Sequence, residues 1–226
     1  MDINADLDRT VYQDAAEFVW QPSPQPGVER VMLDRVGDEV AVATSIVRYA
    51  AGATFSSHSH ALGEEFVVLE GVFSDEHGDY PAGSYMRNPP GTGHTPRSAP
   101  GCVIWVKLRQ FHEADFTPLT VKIPPYKSGA EAGSEMLYTY QESAKTESVC
   151  WVHVAAGQRY AFSSNQHVRE LLVISGSLTW QQDVTRTLGP WSWIRMKPGE
   201  PLRINALEDC VLLSKTRPVY RSAEAI

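Results

Sequence analysis

Apolar residues in this chain come in short runs, rich in Val, Ile, Tyr, Phe and Trp and separated by Gly, Pro, Asp and Asn. The clearest runs span residues 39–49, 65–72, 102–108, 148–154, 170–174 and 210–215. Runs of this length and composition, bounded by turn residues, predict strands. The 16 Gly and 15 Pro supply the turns that an all-β chain requires. One segment breaks the pattern: a helix is expected around Asp14 to Trp20, and the Pro-rich stretch Gln21 to Gly27 that follows predicts an extended lead-in to the first strand.

The runs repeat. Arg48-Tyr49-Ala50-Ala51-Gly52 matches His153-Val154-Ala155-Ala156-Gly157, and Val67-Val68-Leu69-Glu70-Gly71 matches Leu172-Val173-Ile174-Ser175-Gly176, both at an offset of 105. Pro90-Gly91 matches Pro198-Gly199, and the run from Gly101 to Lys107 matches Asp209 to Lys215, now at an offset of 108. A three-residue insertion between the blocks accounts for the change. The chain therefore reads as two related β units, residues 1–115 and 116–226, joined near Phe116 to Ser128, where Pro118, Pro124 and Pro125 mark a linker.

Composition narrows the function classes. With 42% hydrophobic and 21% charged residues the chain falls in the globular range, able to bury a core. Its 20 Lys+Arg against 27 Asp+Glu, net charge -7, argue against binding a phosphate backbone, so no nucleic-acid partner is expected. The start is polar and acidic, and no run of about 18 apolar residues occurs, so the expectation is a soluble protein with no signal and no membrane span. Cys102, Cys150 and Cys210 lie far apart with no CxxC, which fits a reducing cytoplasm better than a disulfide framework or a cysteine zinc site.

Candidate chemistry concentrates in the first unit. His58 and His60 stand at i and i+2, which on a strand puts both imidazoles on one side, and Glu64 follows four residues later. Thirty residues on, a strand enters a Pro/Gly turn that ends in His94. Three neutral imidazoles and a carboxylate suit a divalent first-row ion.

These stretches, Gly52 to Gly71 and Gly83 to Ser98, resemble the two signature motifs of the cupin superfamily, Gly-x5-His-x-His-x3,4-Glu-x6-Gly and Gly-x5-Pro-x-Gly-x2-His-x3-Asn. The resemblance implies two tandem jelly-roll β-barrels, a bicupin, with one metal ion (Zn, Fe, Mn or Ni) in the N-terminal barrel on His58, His60, Glu64 and His94. Ser98 replaces the motif's Asn, which is not a ligand. Glu65 adjoins the ligand carboxylate, and the six-residue gap to Gly71 favours Glu64. More narrowly, roughly residues 25–115 look like the cupin domain of ChrR-type anti-sigma factors.

The second unit lacks these residues: the ligand positions fall on Ser163, Asn165, Arg169 and Leu202, so that barrel is expected to hold no metal. His167 and Glu170 have no third partner at a familiar spacing. Trp151, Trp180, Trp191 and Trp193 are expected to fill the interior of this half. His77 reads as a solvated turn residue, and His112 and His153 carry no motif. The first 115 residues hold 8 Lys+Arg against 17 Asp+Glu and the rest 12 against 10, an acidic field that favours a cation in the first half.

Three functional classes follow. An ion with open positions can act as Lewis acid or redox centre toward O2 or a chelating oxygenated substrate, and cupins of this kind include dioxygenases, isomerases and decarboxylases; Glu65, Tyr85 and Arg87 are then candidates to assist the ligands. The ChrR resemblance implies instead a metal-dependent sensor or regulator. Such proteins carry a helical zinc domain with a His-x3-Cys-x2-Cys pattern, which this chain lacks; its first 25 residues are too few for one, so sigma-factor binding is not expected. A third class is a binding module whose metal-free barrel holds a small molecule. Sheet edges and the habit of the family are compatible with a homodimer.

Overall fold

The computed structural model describes residues 1–38, 40–124, 132–142, 145–164 and 166–218. They form two compact units, each built almost wholly of antiparallel strands. Met1–Ala5 and Phe18–Pro124 make the first; Asp6–Glu17 joins the described residues beyond Pro124 in the second. No helix among the described residues is long and apolar enough to cross a membrane.

In the first unit the large sheet runs, in spatial order, Leu119–Lys122, Ser84–Asn88, Glu64–Ser74, Cys102–Leu108, Val42–Tyr49, Val28–Val36 and Gln21–Pro22. A smaller layer faces it. The far end of Glu64–Ser74 pairs with Asp79–Pro81 and Arg97–Ser98, the latter also pairs with Ala53–Thr54, and His58–Ser59 pairs with Gly93–His94. Phe66, Val68, Phe73, Met86, Ile104 and Val106 fill the space between the layers. These residues alternate along their strands with residues directed to the opposite face, the period of two that a pleated strand imposes.

The second unit repeats this plan. Its six-stranded sheet runs Val11–Gln13, Trp193–Met196, Val168–Ser175, Cys210–Arg217, Lys145–Val154 and Gly133–Glu142, and a four-stranded layer of Arg159–Phe162, Leu202–Ala206, Leu178–Trp180 and Asp183–Leu188 completes the barrel. The pairing register reproduces the sequence offsets. Glu64 pairs with Asn88 and Leu108; Arg169, at the offset of 105, pairs with Met196 and Thr216, both at the offset of 108. Even the bulges correspond: Leu69 is skipped in pairing with Cys102–Leu108, and Ile174 in pairing with Cys210–Arg217.

Three expectations are corrected. The helix around Asp14 to Trp20 is a single 3-10 turn, Ala15–Glu17, held where the Asp14 carboxylate accepts from the Ala16 N–H. That is an N-cap contact, which starts a turn without extending it, and the Glu17 N–H closes the turn on the Asp14 carbonyl at 3.0 Å. The division between units lies beyond Pro124 rather than at 115/116, because Leu119–Lys122 is an edge strand paired with Ser84–Asn88; the expected linker beyond Pro124, to Ser128, lies outside the described residues. Of the four tryptophans, Trp180 lies in the second core, whereas Trp193 and Trp151 alternate with core residues Ile194 and Val152 and so face the other side of the sheet, and Trp191 occupies a turn with φ +72.

Candidate metal centre

The histidines are delivered by the smaller layer and the carboxylate by the large sheet. His94 pairs directly with His58 in the two-residue ladder. The His60 N–H donates to the Thr92 carbonyl at 2.8 Å, which fixes the chain between these strands, and Gly63 then turns it into Glu64–Ser74. That turn needs a glycine: φ is +78, and a Cβ there would meet the Phe111 ring at 2.3 Å. Glu64, first residue of the strand, faces the histidines.

The result is a tight cluster. Ring centroids of His58, His60 and His94 lie 4.7–5.1 Å apart, and one candidate ligand atom from each of the four residues falls within 4.8 Å of all the others. The Nε2 atoms of His60 and His94 each lie 3.4 Å from Glu64 Oε2, beyond hydrogen-bond contact, and both nitrogens are buried with no partner. His60, Glu64 and His94 are buried and His58 is half-buried, so the centre opens to solvent on the His58 side.

Neighbouring groups fix which nitrogen each ring presents. His58 Nδ1 lies 2.9 Å from the Ser56 carbonyl oxygen, which can only accept. His94 Nδ1 lies 3.2 Å from Asp75 Oδ2. His60 Nδ1 lies 3.2 Å from Thr92 Oγ1, whose own hydroxyl proton is given to the Pro89 carbonyl, leaving the oxygen as acceptor. Each Nδ1 must therefore carry the proton, and each Nε2 turns a lone pair toward the centre. Asp75 is itself held: its Oδ1 accepts from the His77 N–H at 2.8 Å, the Gly78 N–H at 3.2 Å and the Tyr80 hydroxyl at 3.3 Å.

Electrostatics agree with a site prepared for a cation. Burial, with the neighbouring rings adding to it, pushes the His60 pKa down to about 3, and burial lowers that of His94. Burial pushes Glu64 up to about 7, against the lowering effect of the Asn88 amide, which donates to Glu64 Oε2 at 3.2 Å. Three lone pairs and one buried carboxylate, short of positive charge, fit a divalent ion.

Glu65, Tyr85 and Arg87 do not reach this centre. They alternate with Glu64, Met86 and Asn88 and face the other side of the sheet, where Arg87 donates to Glu65 at 3.0 Å and to Asp115 at 2.8 Å and stacks on Phe111. The groups that do support the ligands, Ser56, Asp75, Asn88 and Thr92, carry no signal of their own in sequence. Asn88 alone is inferable, because it stands opposite Glu64 in the ladder. His77 is exposed in its turn, and His112 Nδ1 accepts from the Ala114 N–H.

Comparison with known proteins bears on the fold. Residues 8–112 match a family model described as a ChrR cupin-like domain. Among solved structures, a candidate dioxygenase from Nostoc punctiforme superposes with a TM-score of 0.71 at 11% identity, covering 96% of this chain and 86% of that one. A bacterial pirin from Escherichia coli, YhhW, in complex with nickel(II), gives 0.70 at 14% identity, covering 93% of this chain and all of the other. The chain shares the fold of these structures. A variant of oxalate decarboxylase from Bacillus subtilis also shares the fold, with a TM-score of 0.56 at 13% identity, covering 92% of this chain and 77% of that one. No curated protein matches this chain by sequence.

In the second barrel the corresponding positions hold an exposed Ser163, a half-buried Arg169 and a core Leu202; Asn165 lies outside the described residues. Glu170 faces away from the interior, where it accepts from the Trp193 indole at 3.0 Å and pairs with Arg217, and so forms no site with His167. Among the described residues the His58, His60, Glu64, His94 group is the one cluster of three or more such side chains arranged to hold a metal.

Proposed function

We propose that the protein is a bicupin, that it holds one divalent first-row metal ion in its N-terminal barrel, on His58, His60, Glu64 and His94, and that it acts as a metal-dependent dioxygenase or related enzyme on a small oxygenated organic substrate. The observation that carries this reading is the arrangement of the three rings, each with its Nδ1 proton given to an acceptor and its Nε2 turned inward, two of those nitrogens being buried and without partners. When bound, the ion supplies Lewis acidity or one-electron chemistry toward O2 or a chelating oxygen substrate. The chain's own residues do the rest. Phe55 packs against His58 and Phe73 against His94, which keeps bulk water off the rings, and the half-buried His58 leaves one side open for substrate entry. Asn88 holds Glu64 in place as an acceptor.

A regulator is the second reading, favoured by the match of residues 8–112 to a ChrR cupin-like model. Elemental analysis of the purified protein, with His58→Ala and His94→Ala alongside, tests the site. About one iron, zinc, manganese or nickel per chain, lost in both variants, is the expected result; no metal after reloading refutes it. Oxygen uptake by iron-loaded protein over β-diketones and phenolic ketones then tests the enzyme. Absence of uptake, together with reproducible metal-dependent capture of a sigma factor, would favour the regulator.

A further inference from the structure

The second barrel carries a cation where the first carries its ligand carboxylate. Arg169 and Glu64 hold the same register position, and Arg169 shares its strand face with the core residues Leu171 and Val173. Its guanidinium is half-buried and fixed: Nη1 donates to Ser214 Oγ at 2.8 Å, Nη2 to the Ser163 carbonyl at 3.1 Å, and the Phe162 ring lies 5.1 Å away. Burial lowers its pKa from the usual arginine range, and burial raises that of the neighbouring Cys150 thiol. Among the described residues no carboxylate pairs with it.

A guanidinium has five N–H donors, of which these two bonds use two. A cation partly withdrawn from water, held by neutral acceptors and lacking a counter-charge, is costly until an anion offsets it. We infer that the C-terminal barrel of this protein binds a small organic monocarboxylate, its carboxylate on the remaining donors of Arg169 and its apolar body against Phe162 and Tyr160. A single positive charge balances a monoanion and leaves a phosphate dianion undercompensated. The planar fork matches a carboxylate in two-point contact.

Calorimetric titration of the full-length protein with benzoate tests this, with benzamide as the neutral equivalent in shape and inorganic phosphate as the rival anion. Benzoate is expected to bind saturably, benzamide at least about tenfold more weakly, and phosphate not at all. Arg169→Gln should lower benzoate affinity at least about tenfold while melting no earlier than the parent, since it removes an unpaired cation. His58→Ala should leave benzoate affinity unchanged, which separates this site from the metal centre. Absence of saturable binding, equal affinity for benzamide, phosphate bound in place of benzoate, or a loss in His58→Ala with none in Arg169→Gln each overturns the inference. Should Arg169→Gln not fold, Arg169→Lys, which keeps the charge but loses the planar fork, must weaken benzoate at least about threefold, and an unchanged affinity there is equally decisive against it.

Discussion

Asp75→Asn isolates the part of the proposed metal centre that lies beyond its ligands. The wild-type carboxylate uses Oδ1 to accept from two backbone N–H groups and the Tyr80 hydroxyl, and Oδ2 to accept from His94 Nδ1. Asparagine has one oxygen, and the three donors at Oδ1 claim it. Its NH2 group then faces His94 Nδ1, which must become an acceptor, so the ring proton moves to Nε2, the atom turned toward the centre. The shape of the hairpin is kept while one ligand is put in the wrong tautomer and a negative charge is lost. Loss of such a supporting acceptor weakens metal binding about 10–100-fold, or about 1.4–2.7 kcal/mol. Competition of zinc between the protein and a chromophoric chelator reads the affinity, and the visible spectrum of the cobalt(II) form reads the ligand field. Thr92→Val, which removes a neutral acceptor from His60 Nδ1, should weaken binding less. A zinc affinity for Asp75→Asn within about twofold of the parent, in a protein that melts at the parent's temperature, would refute the reasoning.

Two further outcomes follow from the same structure. With Glu64 raised to about 7 in the metal-free protein, an incoming ion must displace its proton below that pH, so apparent affinity should fall about tenfold per pH unit from 7 downward and level off above it. Calorimetry in buffers of different ionisation enthalpy should find about one proton released at pH 6 and almost none at pH 8 from this group, and an affinity flat from pH 6 to 8 contradicts it. Gly71→Ala and Gly52→Ala both place alanine at positive φ, +72 and +77, costing about 1–2 kcal/mol each. At Gly71 the new Cβ would also meet the Gly101 carbonyl oxygen at 2.0 Å, whereas at Gly52 it meets nothing within 4 Å. Urea denaturation should therefore show Gly71→Ala the more destabilised, and equal losses would count against the contact.

The fold was legible because repetition and spacing are properties of the chain itself. The offsets of 105 and 108 return as the pairing register, and the two motifs name four side chains that the barrel brings together. Glu64 and Glu65 could be ranked in sequence only by the gap to Gly71; the pleat separates them, because adjacent residues on one strand face opposite sides. The same alternation removes Tyr85 and Arg87 from the centre. Asp75 and Thr92 were not legible, since each acts through a turn whose geometry depends on partners distant in sequence. The strand Leu119–Lys122 was hidden among prolines that read as a linker, and its role comes from the edge of Ser84–Asn88 rather than from its own composition.

The two edge strands carry a consequence for how the chain can be divided. Val11 pairs with Arg195 and Tyr12 with Ile194; Leu119 pairs with Arg87 and Thr120 with Met86, so the two short segments are themselves related by the offset of 108. Each lies just ahead of one repeat and completes the sheet of the other. Thr10 with Glu200, and Arg195 donating to the Asp6 carbonyl at 2.9 Å, anchor the first of these exchanges. By that reciprocity neither sheet is completed by its own repeat alone. A half-chain cut between the repeats would then inherit an arm with no barrel to receive it and a barrel with an open edge, and its simplest remedy would be to find a second copy of itself.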